Sequence, residues 1–196
     1  MGVAREPERG VLIAGLLAGD VALLAQAGAA LGELLGPVER VSAVWPFGNT
    51  EYYADELGTE IHRQFVTFAE PFALERLAEV KLATNALEIA LAERLGQPAT
   101  RRLVNIDPGY ITLGALVLAT TKPRAHRIYL GRGIFAEVTL NYEHGGWRGW
   151  PWTYPDYAGD DYHAFFTQVR DDLKRRRVQP GAEKSAQNHT PPDRRG

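Results

Sequence analysis

Two short stretches of this chain hold side chains that could do chemistry together. The first is Asn105-Ile106-Asp107-Pro108-Gly109-Tyr110; the second is His126-Arg127-Ile128-Tyr129-Leu130-Gly131 followed by Glu137-Val138-Thr139. Asp107 and Glu137 are carboxylates that could exchange protons, and the Tyr110 hydroxyl could assist, so these three are the candidate catalytic groups of an acid/base reaction. Asn105, Arg127, Tyr129 and Thr139 are the candidate ligand-binding groups beside them. A third stretch, Trp150-Pro151-Trp152-Thr153-Tyr154-Pro155-Asp156-Tyr157, adds Tyr154 and Asp156 as candidate ligand contacts. An arginine that grips an anion while a glutamate holds the arginine would suit a small anionic ligand. The same Arg127–Glu137 pair, if exposed, is an ordinary surface ion pair worth under about 1 kcal/mol.

Several chemistries are excluded by residue type. The sequence contains no cysteine, which removes disulfides, thiolate metal sites and a cysteine nucleophile. His62, His126, His144, His163 and His189 show no metal-ligand spacing, so no metal site is expected. Ser42 and Ser185 are the only serines, and no Gly-x-Ser-x-Gly elbow occurs. A P-loop requires Gly-x-x-x-x-Gly-Lys-Ser/Thr, which is absent. The residues name no cofactor.

Elements that could position these groups are legible in the apolar pattern. Val11 to Leu17 is a continuous apolar run, as expected for a strand buried on both faces. Asp20 caps a helix reaching Leu35, where Gly36-Pro37 stops it. Val38 to Trp45 alternates as a second strand, and Ile61 to Phe68 is a third. Glu70-Pro71 opens a long helix ended by Gly96, and Arg101 to Ile106 is a fourth strand. Asp107-Pro108-Gly109-Tyr110 has the composition of a tight turn after that strand. Thr112 to Ala119 reads as a short helix, with a strand over Val117 to Thr120 as the alternative. Arg127 to Leu130 and Ile134 to Tyr142 form a hairpin around Gly131-Arg132-Gly133, in a register that places Tyr129 opposite Phe135 and Arg127 opposite Glu137. Four aromatics between two prolines make residues 150–157 a strap over the core, a lid or a partner patch. Asp160 or Asp161 starts a last helix to about Arg176.

This order gives an α+β fold: a ferredoxin-like βαββαβ core, two helices on one face of a four-stranded antiparallel sheet, with an added β-hairpin and C-terminal helix. A single domain over 10–177 is expected between a disordered N-terminus (1–9) and a disordered polar and basic tail (178–196).

Trp45-Pro46-Phe47 with Thr50-Glu51-Tyr52-Tyr53, Asn105 to Tyr110, His126 to Gly131, Glu137 to Leu140 and Trp152 to Tyr157, taken together, resemble the bacterial family catalogued as domain of unknown function 4416 over roughly residues 10–175. The resemblance implies no established activity. A GTP-binding label attaches to some members, and the P-loop it would require is absent here.

From Lys174 onward seven basic and two acidic residues give +5, whereas residues 1–173 carry −7. The acidic body argues against nucleic acid as a partner. The first apolar run is too short to span a bilayer, so no membrane association is expected, and the absence of cysteine fits a cytoplasmic location. Two functions remain open. One is binding of a small, anionic ligand between the Asp107–Tyr110 turn and the 126–139 hairpin, with or without acid/base catalysis. The other is a non-enzymatic module that holds a protein partner on the aromatic strap 150–157 and Tyr52/Tyr53.

Overall fold

No side chain between Val11 and Leu17 is polar, and in the computed structural model the segment is strand β1 (Gly10–Ala18), buried at every position. Residues 2–48, 57, 60–98 and 100–178 are described. A strand apolar on both faces needs a layer on each side. On one side lie α1 (Val21–Leu35) and α2 (Leu77–Arg94), whose Leu24, Ala27, Leu31, Val80 and Leu91 pack on Leu12, Ala14 and Leu16. The Asp20 side chain accepts the Ala22 N–H at 2.8 Å and so starts α1 where the sequence places it. On the other side lies α3 (Asp160–Val178), with Tyr162, Phe165, Phe166 and Val169 against Val11, Ile13 and Phe65. Asp160 and Asp161 in its first turn and Arg175 to Arg177 in its last oppose the helix dipole. Arg176 and Arg177 also pair with Glu39 and Glu8, tying α3 back to the sheet and to the segment before β1. No helix among the described residues is long and apolar enough to cross a membrane.

The remaining strands are β2 (Val38–Val41), β3 (Trp45–Phe47), β4 (Ile61–Phe72), β5 (Val104–Ile111), β6 (Ala115–Thr120), β7 (Ile128–Gly131), β8 (Ile134–Glu143) and β9 (Gly146–Gly149). With β1 they make one nine-stranded sheet in the order β2-β4-β1-β5-β6-β8-β7, with β3 on β4 and β9 on β8. Every pairing is antiparallel.

The sheet is therefore larger than the four strands and separate hairpin expected from the sequence. Thr112 to Ala119 is not a helix: Thr112 turns the chain by accepting the Gly114 and Ala115 amides on its hydroxyl, and β6 runs back along β5. Val117 to Thr120 extends as the strand alternative had it. The hairpin then adds to β6 through β8 instead of standing apart, with Tyr129 opposite Phe135 as the register predicts. Asp107-Pro108-Gly109-Tyr110 is not a turn but the middle of β5. Proline is tolerated there because β5 pairs with β6 only from Gly109 onward, so Pro108 lies on a stretch flanked by β1 alone. Glu70-Pro71 likewise continues β4 as far as Phe72, opposite Gly10, and α2 begins later. The second strand is broken at Ser42, whose hydroxyl accepts the Phe65 N–H at 2.9 Å in place of a ladder bond. The tail from residue 179 and the pair Tyr52/Tyr53 lie outside the described residues.

Candidate functional site

The sheet parts where β5 and β6 diverge. Below Gly109 the outer edge of β5 has no neighbouring strand, and its backbone groups must find other partners. Two side chains of α2 supply them: Glu88 Oε1 accepts the Ile106 N–H at 2.6 Å, and Lys81 Nζ donates to the Ile106 carbonyl at 2.7 Å. The gap left between the strands is a cleft of about 740 Å³, within the range that encloses a small ligand. Because it passes through the split, it meets both layers. Lys81, Asn85 and Glu88 line it from α2; Arg63, Asp156 and Tyr157 line it from the strap side; Thr120, Lys122, Arg124, Arg127 and Glu137 line it from the β6–β8 side.

Arg63, on β4, is at the centre of the floor. Its side chain is 4% exposed, and the guanidinium carbon lies 5.2, 5.6 and 5.4 Å from the ring centres of Phe47, Phe65 and Tyr157. Nη2 donates to Asp156 Oδ2 at 3.2 Å, while Nη1 is 3.8 Å from Asp107 Oδ2. Burial opposes the charge, but Tyr157, Asp156 and Asp107 outweigh it, and the guanidinium pKa is raised. Burial also raises the Asp156 carboxyl, against the pull of Arg63. Nη1 of Arg63 and the Tyr157 hydroxyl are both buried without a hydrogen-bond partner among the described residues. A Cβ on Gly15 would lie 2.9 Å from that Nη1 and 3.2 Å from the hydroxyl, which explains glycine in the middle of an otherwise fully apolar strand.

From Arg63 a polar chain runs along the bare edge of β5. Asn105 Nδ2 donates to Asp107 Oδ2 at 2.8 Å, Arg102 Nη1 donates to Asn105 Oδ1 at 3.1 Å, and Arg102 also lies 3.8 Å from Glu88 Oε2. Lys81 Nζ is 3.7 Å from Asp107 Oδ1. Burial pushes the Glu88 carboxyl up to about 7, with Lys81, the Ile106 amide and Arg102 pulling the other way. A carboxyl that titrates near neutrality inside a cleft can both give and take a proton.

The opposite wall is built from the β7–β8 hairpin. Arg127 Nε donates to Glu137 Oε2 at 2.8 Å and its Nη1 to the Lys122 carbonyl at 2.8 Å. With side chains 7% and 5% exposed, Arg127 and Glu137 form a buried pair and not a surface one. His126 Nε2 lies 3.0 Å from the same carboxylate oxygen, and its ring stacks on Trp152 at 4.9 Å. Trp152 donates to the Val138 carbonyl, and the Thr153 hydroxyl donates to the Thr139 carbonyl at 2.6 Å, so the strap is fastened along β8.

Of the sequence candidates, Asn105, Asp107, Arg127, Glu137, Tyr154 and Asp156 line this one cleft. Three others lie elsewhere. Tyr110 packs beside Phe72 in the α1–α2 layer, its ring 6.2 Å away. Tyr129 is exposed on the edge strand beside Phe135, and Thr139 is buried within β8. Sequence reasoning missed Arg63, Lys81, Glu88 and Arg102. A signal for two of them was present: Lys81 and Glu88 share a helix face with Leu77, Val80, Thr84 and Leu91, so charged residues occupy core positions. Among the described residues no group of histidines or carboxylates could hold a metal ion.

The model of the family described as domain of unknown function (DUF4416) matches residues 8–173. The chain belongs to that family. No curated protein and no solved structure matches it.

Proposed function

We propose that the protein binds a small anionic ligand in the cleft between β5 and β6. The observation that supports this most is a reversal of charge. Among the described residues, six cations (Arg63, Lys81, Arg102, Lys122, Arg124 and Arg127) line the cleft against four carboxylates, in a body that carries −7 over residues 1–173. The buried, unsatisfied Nη1 of Arg63 points the same way, because a donor shut away from water calls for an acceptor. Acid/base chemistry on the bound ligand rests with Asp107 and Glu137, to which the cleft adds Glu88. The scaffold below it reads as a ferredoxin-like half, supported by the order β2-β4-β1-β5 with α1 and α2 on one face. A cysteine-free chain suits a reducing cytoplasm.

Thermal melting with a panel of phosphorylated, sulfated and carboxylated small molecules tests the proposal. A ligand at a hundred times its Kd adds about 2.7 kcal/mol, or about 5–10 °C for a domain of this size. At least one anion is expected to give a shift of that order, weaker in high salt. A panel that leaves the midpoint unmoved at millimolar concentration would sink the reading.

A protein-binding surface is the second reading, favoured by Trp150 and Tyr154, which are 41% and 52% exposed on the strap. A partner held there would lose affinity with Trp150→Ala while anion binding stayed unchanged.

A further inference from the structure

The cleft has two ends of different character. At one end the Thr120 to Arg127 segment brings two hydroxyls and three cations to a wall that holds, among the described residues, one carboxylate, Glu137. Among the described residues the Arg124 side chain has no ion-pair partner, and Arg127 engages Glu137 and the Lys122 carbonyl through Nε and Nη1. Arg124 therefore brings donors beyond those that Glu137 and the Lys122 carbonyl take up. A phosphate monoester offers three free oxygens and nearly two negative charges. At the other end the balance reverses. Glu88, Asp107 and Asp156 present carboxyl oxygens beside Asn105, where Lys81 is committed to the Ile106 carbonyl and Asp107, and Arg63 is committed to Asp156 through Nη2, its Nη1 being left to meet a hydroxyl oxygen. Acceptors of that kind receive hydroxyl groups.

Resting on the reading that the cleft binds an anion, we propose that its ligand is the phosphate monoester of a small polyol. The phosphate sits on the Thr120–Arg127 wall, and the hydroxyls donate to Glu88 and Asp107. Both ends are used at once because the split in the sheet leaves no strand between them.

Isothermal titration of the full chain with glycerol phosphate, inorganic phosphate, sulfate, citrate and glycerol separates the terms. Glycerol phosphate is expected to bind tightest, inorganic phosphate next, and glycerol alone not measurably. Arg124→Gln, at an exposed position with little bearing on stability, should weaken both phosphate probes about tenfold or more. Glu88→Gln, which keeps an acceptor for the Ile106 amide, should leave inorganic phosphate binding in place and erase the advantage of glycerol phosphate. Citrate or sulfate binding tighter than glycerol phosphate would leave the anion reading standing and overturn the phosphate assignment. Phosphate binding undiminished in Arg124→Gln would overturn it too, by moving the anion to another wall. Glycerol phosphate no tighter than inorganic phosphate would remove the polyol end. No binding by any probe would overturn both this inference and the reading beneath it.

Discussion

Glu88 holds up the bare edge of β5 with a carboxyl that titrates near 7 rather than near 4.5. The folded chain therefore keeps a proton there that the unfolded chain has released, and stability falls as pH rises between these two values. The shift corresponds to about 3 kcal/mol, present below pH 4.5 and lost above 7. Asp156, also raised by burial, contributes with the same sign at the acid end. Glu88→Gln keeps the acceptor and removes the titration, so urea unfolding at pH 5 and at pH 8 should show the variant gaining on the native chain by about 2.5 kcal/mol over that interval. Equal pH profiles would mean that Glu88 is solvated. At the facing wall, Glu137→Gln strands a buried arginine and should cost about 3–5 kcal/mol, whereas an exposed pair would lose under about 1. Asp107 and Glu137 could be found from sequence because they stand among aromatic, amide and basic residues in short non-helical segments, although the composition at Asp107 predicts a turn. Glu88 could not be found so easily, since the apolar period of its helix continues through Leu91 whether or not one buried position is charged.

At the scale of elements, the cleft depends on three facing residue pairs that hold β5 to β6: Gly109–Leu118, Tyr110–Val117 and Ile111–Leu116. The first brings two backbones close together. A Cβ at Gly109 would run into the Val117 carbonyl oxygen and lie 2.7 Å from Leu118 Cδ2. Gly109→Ala should therefore cost about 1–3 kcal/mol and speed amide exchange at Tyr110 and Ile111. Gly114→Ala is the control, because nothing lies within 4 Å of its Cβ, and it should change stability by under about 0.5 kcal/mol. Similar losses for both would refute the close-approach account. This pairing also explains which elements could be read in advance. The helices declare themselves through Asp20, the acidic first turn of α3 and the Gly36-Pro37 stop, all local signals. Pro108-Gly109 has the composition of a turn, and only the absence of a second neighbouring strand at Pro108 and the presence of one at Gly109 lets it remain extended. That is tertiary information, which no local window contains.

For the molecule as a whole, stability should be graded across the sheet. β1 lies between β4 and β5 with helices on both faces, while β7 ends the sheet with Ile128 67% and Tyr129 61% exposed. Native-state hydrogen exchange is expected to be slowest at Ile13 to Leu17, approaching the free energy of global unfolding, and fastest in β7 and β9. Protection in β7 equal to that in β1 would show that the edge is covered in solution. The extent of the sheet was not legible in the sequence, because the alternation of β6 to β9 gives each strand two faces but does not say which edge it joins.

The central place of β1 also sets a problem of timing during synthesis. Gly10–Ala18 leaves the ribosome before β4 (61–72) on one side and well before β5 (104–111) on the other. Until Ile111 has emerged, the most apolar segment of the chain has at most one of its two neighbours, and α3, which covers its second face, comes later still. The nascent protein therefore passes through a stage in which an uncovered sticky strand is its most conspicuous feature, and chaperones that shelter such segments should meet it there.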